Sequence, residues 1–374
     1  MSYKKLKIKN GEINSSVNQM FKDILKSGKV QGLLIPQEVP SKKMVFHVLI
    51  SDPEKLHADI FAPILASSTA TTVSKMTKVE PANKPIAVVI RPCQIRALTE
   101  LVKLNQANLQ NIIIIGVDCP GTFSIKTYAD FPEKKAPSDF LIESLKNKNK
   151  DFEKYLRTSC HVCKEPIPVN ADIVIGLYGT DIEKQLLLEA KTDAGKKILD
   201  EIKLEDVSKD EHTRDKALKA LYEEKSKNHF EFVKEKCKIK GIDALTKFFD
   251  KCINCHNCMK ACPICYCKEC LFDSAVFDAE AYKFLRKAES KGLFKMPTDS
   301  ILFHIGRMNH MIVSCVECGL CSQACPVDIP LMEIFIPAAD NSQEEFKYSP
   351  GKDPNEKIPM IVYREDEYKE VGEA

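Results

Sequence analysis

Two cysteine runs near the C-terminal end restrict this chain more than any other feature. The first is Cys252-x2-Cys255-x2-Cys258-x3-Cys262-Pro263, and the second is Cys315-x2-Cys318-x2-Cys321-x3-Cys325-Pro326. Two-residue gaps let a tight loop present three thiolates to one 4Fe–4S cube, while the fourth Cys of each run ligates the other cube. The spacing therefore predicts two cross-ligated cubes. One is expected on Cys252, Cys255, Cys258 and Cys325, the other on Cys315, Cys318, Cys321 and Cys262. The proline after each fourth Cys stops a further helical turn and brings no N–H that needs a partner. Structural zinc uses four ligands, usually as two separated CxxC pairs. Neither the third Cys of each run nor the repeated Cys-Pro has a role in such a site.

Composition fits this reading. The chain has 374 residues and 16 cysteines, enough for two or three domains. Its first residues, MSYKKLKIKNGE, are charged and lack an apolar signal-peptide core. The longest apolar runs, such as Ile112 to Val117, are too short to span a bilayer. The expected compartment is the cytoplasm, where many cysteines indicate metal binding rather than disulfides. A net charge of +2 gives no reason to expect nucleic acid as a partner.

Residues 1–182 read as an α/β domain with a mainly parallel sheet. Val17, Met20, Phe21, Ile24 and Leu25 recur at helical spacing, and strands are expected at residues 30–35, 43–50, 85–91, 112–117 and 172–177. Residues 183–241 carry alternating charges and read as exposed helix. Residues 242–340 hold the cysteine runs and an insertion with two helical stretches. Residues 341–374 are polar, end acidic and read as an extended arm, either packed against another subunit or disordered.

Four more cysteines lie in the α/β part. Cys93 follows one buried strand and Cys119 follows the next; Cys160 and Cys163 form a CxxC pair on a later loop. In an open parallel sheet the loops after neighbouring strands converge on one crevice. A third 4Fe–4S cube on Cys93, Cys119, Cys160 and Cys163 is therefore expected, with buried inert thiols as the alternative. Cys237, Cys265, Cys267 and Cys270 have no assignment. His256, inside a cluster loop, reads as a hydrogen-bonding neighbour, and His304 and His310 as ordinary packing or surface residues. The chain has neither a GxGxxG nor a P-loop fingerprint.

Five segments together resemble the beta subunits of coenzyme F-420-reducing hydrogenase and methanogen-type formate dehydrogenase. They are IRPCQIRALTELVKLNQANL, IGVDCPGTFS, SCHVCKEPIPVNADIVIGLYG, KCINCHNCMKACPICYCKEC and SCVECGLCSQACPVDIPL. Their order, with both runs C-terminal, looks most like the formate dehydrogenase subunit. The resemblance implies an expanded ferredoxin-like domain after the α/β domain, and a cluster near a flavin on the scattered cysteines. It also implies FAD, hydride exchange with F-420, and other redox subunits as partners. The family's Gly-Gly-x-Val-Thr stretch is Asn14-Ser15-Ser16-Val17-Asn18 here. The second reading is a flavin-free wiring and docking subunit serving a formate dehydrogenase, hydrogenase or heterodisulfide-reductase-like partner.

Overall fold

The computed structural model describes residues 2–40, 44–202, 204–207, 211–274, 280–294 and 300–361. Eight strands form one sheet: β1 (Ser2–Lys7), β2 (Gly32–Glu38), β3 (Val45–Ile50), β4 (Ile86–Ile90), β5 (Ile112–Val117), β6 (Ile173–Gly176), β7 (Gln185–Ala190) and β8 (Glu205–Asp206). Their spatial order is β3-β2-β4-β5-β6-β7-β1-β8. Pairings β2/β4, β4/β5 and β5/β6 are parallel. The outer pairings β2/β3, β6/β7, β7/β1 and β1/β8 are antiparallel. The sheet is thus mixed, with a parallel centre, rather than mainly parallel throughout.

The centre is apolar because both faces are covered. Ala87, Val88, Val89, Ile115, Ile173 and Ile175 are all nearly inaccessible, as expected for strands between two helical layers. Helix α1 (Ile13–Lys26) turns Ile13, Val17, Met20, Phe21, Ile24 and Leu25 onto one face, the 3.6-residue pattern read from the sequence. Each such side chain contributes roughly 1.5–3 kcal/mol by leaving water. Helix α2 (Pro92–Lys103) starts directly after β4, with Pro92 in its first turn and Arg91 extended before it.

Residues 183–241 are not uniformly exposed helix. Gln185–Ala190 is a buried strand, and helix α3 spans Glu211–Lys236. The signal was masked by flanking charge. Glu189 is buried in β7 because Tyr3 Oη donates to it at 3.1 Å, and lysine-rich β1 pairs along its whole length with β7.

The cysteine-rich part has its own core, in which Phe249, Phe303, Phe335 and Ile336 pack with the cluster cysteines. Helices at Ala281–Lys291 and α4 (Ser300–Met311) fill the insertion, where two helical stretches were expected. Helix α5 (Met332–Glu345) follows the second run. Residues 346–361 then fold back onto α2 instead of extending as an arm. Buried Glu100 accepts from Tyr348 Oη at 2.6 Å and from the Gly351 amide at 2.8 Å. The rest of the expected arm, residues 362–374, lies outside the described residues.

Candidate iron–sulfur centres

At the C-terminal edge of the parallel strands, three loops meet around one small recess. Its lining includes Cys93, Cys119, Cys160 and Cys163, together with Arg91 and Arg157. Each thiol has a local cause for its position. Cys93 lies in the first turn of α2, because Pro92 starts that helix at the strand end. Cys119 is fixed by its amide, which donates to Pro166 O at 2.9 Å, and its sulfur accepts from Arg91 Nη1 at 3.3 Å. Cys160 sits in the one-turn helix Thr158–His161. Its sulfur accepts from the Thr122 amide at 3.3 Å. Gly121, at φ +121°, runs so close that a Cβ there would lie 2.5 Å from Leu156 and 3.2 Å from the Cys160 Cβ. Only glycine permits that approach.

The electrostatics show how closely the thiols crowd. Burial pushes Cys93 up to about 11, helped by the Cys119 and Cys160 thiols. Cys163 is driven to about 12 by burial, with Cys160 and Cys93 adding to it. Burial also works against the Cys160 thiolate, but Arg157 and the Thr122 donors outweigh it, and its pKa falls below the usual value.

The two C-terminal runs fold into near-identical loops. In the first, Asn254 and His256 have left-handed backbone, at φ 51° and 59°; in the second, Glu317 and Gly319 do, at φ 58° and 72°. These are the same two positions of each run. Each loop then enters a one-turn helix, Asn257–Lys260 or Leu320–Gln323. The left-handed residues turn backbone N–H groups inward, and the amide of Asn254 donates to Cys252 Sγ at 3.4 Å.

The runs are interleaved. Burial lifts Cys258 to about 12, and the thiols acting on it include Cys321, Cys252 and Cys325. Burial also raises Cys315, with Cys262 the leading neighbouring thiol. Thus Cys325 of the second run lies near Cys258 of the first, and Cys262 of the first near Cys315 of the second. Cys318 points both ways: it lines the sheet-edge recess and lies near Cys93 and Cys262. Cys255 is exposed.

The surroundings suit clusters that carry net negative charge. Arg307 on α4 is 2% exposed, and among the described residues its three guanidinium nitrogens have no conventional hydrogen-bond partner. Its ring-side support is Phe335, 4.9 Å away. Burial opposes its charge, but the Cys262, Cys321, Cys265 and Cys258 thiols prevail and hold it firmly protonated. A buried lone cation is costly, so the constellation makes sense once those sulfurs bear negative charge. His304 also faces the site, with Nε2 3.4 Å from Cys252 Sγ and its ring stacked on Phe249. Burial lowers its pKa to about 3, so it is neutral. His256, as expected, is a hydrogen-bonding neighbour, held by Asp273 at 2.8 Å.

Sequence reasoning missed Arg307, Arg157 and the cluster-facing role of His304. Position 307 falls three residues after His304 on an otherwise ordinary helix, and no spacing rule marks it. Cys265 sits against Cys262, lowering the Cys262 thiol and rising itself. Cys270 Sγ lies 3.5 Å from Met259 Sδ, Cys237 is near Asn341, and Cys267 is exposed.

The family model for the C-terminal part of the coenzyme F420 hydrogenase/dehydrogenase beta chain matches residues 83–216. That for a 4Fe-4S dicluster domain matches residues 248–329. The F420-dependent formate dehydrogenase subunit beta of Methanocaldococcus jannaschii is 28% identical over 92% of this chain and 94% of its own length. Over most of its length the chain is thus similar to an F420-dependent formate dehydrogenase beta subunit. A second relative, the F420-dependent formate dehydrogenase 1 subunit beta of Methanococcus maripaludis, is 29% identical over 92% of each chain. A chain of the F420-reducing [NiFe] hydrogenase complex from Methanosarcina barkeri aligns with TM-score 0.46 and 16% identity, over 65% of this chain and 94% of that one. The dicluster match and these similarities make the chain an iron–sulfur electron-transfer subunit. Among the described residues no helix is long and apolar enough to cross a membrane.

Proposed function

We propose that this chain is the wiring subunit of a cytoplasmic formate-oxidising complex and passes single electrons along three 4Fe–4S cubes. Cys252, Cys255, Cys258 and Cys325 hold the outer cube, which meets the partner subunit where Cys255 is exposed. Cys315, Cys318, Cys321 and Cys262 hold the middle cube. Cys93, Cys119, Cys160 and Cys163 hold the inner one, at the sheet edge. The observation that carries this order is Cys318, which lines the inner recess while belonging to the second run. Potentials are set by burial and by N–H and guanidinium contacts to sulfur.

The flavin is a separate matter of space. The recess at Cys93 and Cys119 has a volume of ≈ 30 Å³, too little for an isoalloxazine beside a cube. Two larger clefts, of ≈ 810 and ≈ 530 Å³, flank the N-terminal turn of α1 and share Asn14, Lys135 and Asp139. Their size suits a dinucleotide. Helix α1 has no side-chain cap, so its first-turn amides are free for a phosphate. Tyr128 and Phe131 line the smaller cleft. These residues fit FAD; Asn14, Lys135 and the α1 amides would hold it. When bound, FAD would combine two single electrons with a proton into the hydride that a deazaflavin such as F-420 accepts.

The flavin-free reading also has an observation behind it: Asn14 and Ser15 put side chains into the cleft where the family has glycines. Acid-released flavin and iron per polypeptide, measured on anaerobically purified complex, separate the two. One flavin with full iron supports the flavoenzyme. Flavin near zero with full iron leaves the electron wire alone, and iron near zero rejects both.

A further inference from the structure

Three thiol groups in a row have two junctions, and an arginine occupies each, one buried and one half-buried. At the outer junction is Arg307. The sulfurs that hold its charge are Cys262 and Cys321 of the middle group and Cys258 of the outer group, with Cys265 beside them. At the inner junction is Arg157. Burial opposes its charge, but it is held by Cys160 and Cys93 of the sheet-edge group and by Cys318 of the middle group. Its Nε is buried without a hydrogen-bond partner, like the Arg307 nitrogens. Its remaining contacts are weak: Nη2 to Cys160 Sγ at 3.7 Å and Nη1 to Gln323 Oε1 at 3.4 Å.

Among the described residues, neither arginine has a carboxylate partner. Buried Arg214, by contrast, makes a two-pronged contact with Asp118, and buried Arg96 donates to Val316 O. The junction at Arg157 is also tight. Gly319, at φ +72°, lies so close to Ser159 that a Cβ would meet Ser159 Oγ at 2.1 Å. The loop that carries Cys318 and the loop that carries Cys160 are thus in direct contact, and Arg157 is held between them.

We infer that Arg307 and Arg157 are paired potential-setting residues, each of which raises the reduction potentials of the two cubes that flank it. The inference rests on the three-cube reading. Reduction adds one electron to one cube and makes or breaks no bond. The guanidinium neither gives nor takes a proton, because it stays charged at every working pH. A fixed positive charge in a low-dielectric interior favours the state with one more electron. Arg307 should act on the outer and middle cubes, and Arg157 on the middle and inner cubes.

The test is a dithionite potentiometric titration of the anaerobic complex, followed by electron paramagnetic resonance. It compares the unmodified protein with Arg307→Met, Arg157→Met and the two Lys variants. Cys93→Ser identifies the inner cube's signal. Three 4Fe–4S signals in the unmodified protein establish the reading; their absence is a failure of that reading, separate from this inference. Arg307→Met should move the outer and middle midpoints to more negative potential and leave the inner one in place. Arg157→Met should move the middle and inner midpoints and leave the outer one. The Lys variants, which keep the charge, should shift less. Unchanged midpoints, or equal shifts of all three cubes in either Met variant, overturn the inference. If a Met variant loses a cube, the loss must follow the same pairing: the inner cube survives in Arg307→Met and the outer in Arg157→Met. Indiscriminate iron loss overturns it too.

Discussion

Replacing Arg214 by Met should loosen the sheet exit that carries Cys119. Asp118 is fully buried and immediately precedes that cysteine. It accepts from Arg214 Nη1 at 2.7 Å and Nη2 at 3.0 Å, and from the Leu177 amide at 2.8 Å. Arg214 is built in from both sides. A Cβ on Gly176 would lie 2.6 Å from its Nη1, and one on Gly179 would lie 2.4 Å from its Cα. Removing the guanidinium leaves a buried carboxylate with only backbone donors. Breaking such a pair costs about 3–5 kcal/mol. At roughly 1.4 kcal/mol per decade, that is about two to three and a half decades in the opening equilibrium. Amide hydrogen exchange, in the regime where it reports equilibrium opening, measures this directly. Protection of Val117, Ile175 and Leu177 should fall by at least about a hundredfold. The double variant Asp118→Asn/Arg214→Met should recover most of it, because the lone charge is gone. A loss below about tenfold, or additive effects in the double variant, would refute the reasoning.

Three further outcomes follow from other contacts. Cys258→Ser and Cys321→Ser should each lose iron and destabilise the C-terminal domain, since cluster binding there is part of its folding free energy; unchanged iron in both would rule this out. His229 is pulled down by burial, but Asp340 at 2.9 Å and the nearby Glu317 outweigh this, so its pKa lies above the ordinary 6.5, while Asp340 is drawn to about 2, chiefly by that bond. His229 therefore contributes stability that is complete below about 6.5 and lost as pH rises through its raised value; His229→Gln should remove that alkaline loss in a denaturation series. Tyr348→Phe should cost about 1–3 kcal/mol by leaving buried Glu100 short of a donor, seen as faster proteolysis within residues 346–361.

The legible parts of this chain were those set by periodicity and ligand spacing. The buried centre strands at 86–90, 112–117 and 173–176 could be read because both their faces are covered, and α1 because its apolar residues recur on one face at helical spacing. The runs at 252–262 and 315–325 were visible because cluster geometry fixes their gaps. Strand β7 was hidden because its buried Glu189 depends on Tyr3, 186 residues away. The folding back of residues 346–361 was hidden for the same reason: Tyr348 and Gly351 need Glu100, which lies about 250 positions earlier. Arg307 and Arg157 are single residues whose meaning lies in sulfurs from distant segments, and a single sequence does not mark such convergence.

The central claim is that three cubes stand in line, with the inner one on four cysteines from three sheet-edge loops. An anomalous difference map at the iron edge, from crystals of the anaerobic protein, tests it most directly. Three separate iron peaks are expected: one against Cys252, Cys255, Cys258 and Cys325, one against Cys315, Cys318, Cys321 and Cys262, and one filling the recess of Cys93, Cys119, Cys160 and Cys163. Two peaks at the C-terminal runs with no iron in that recess would contradict it.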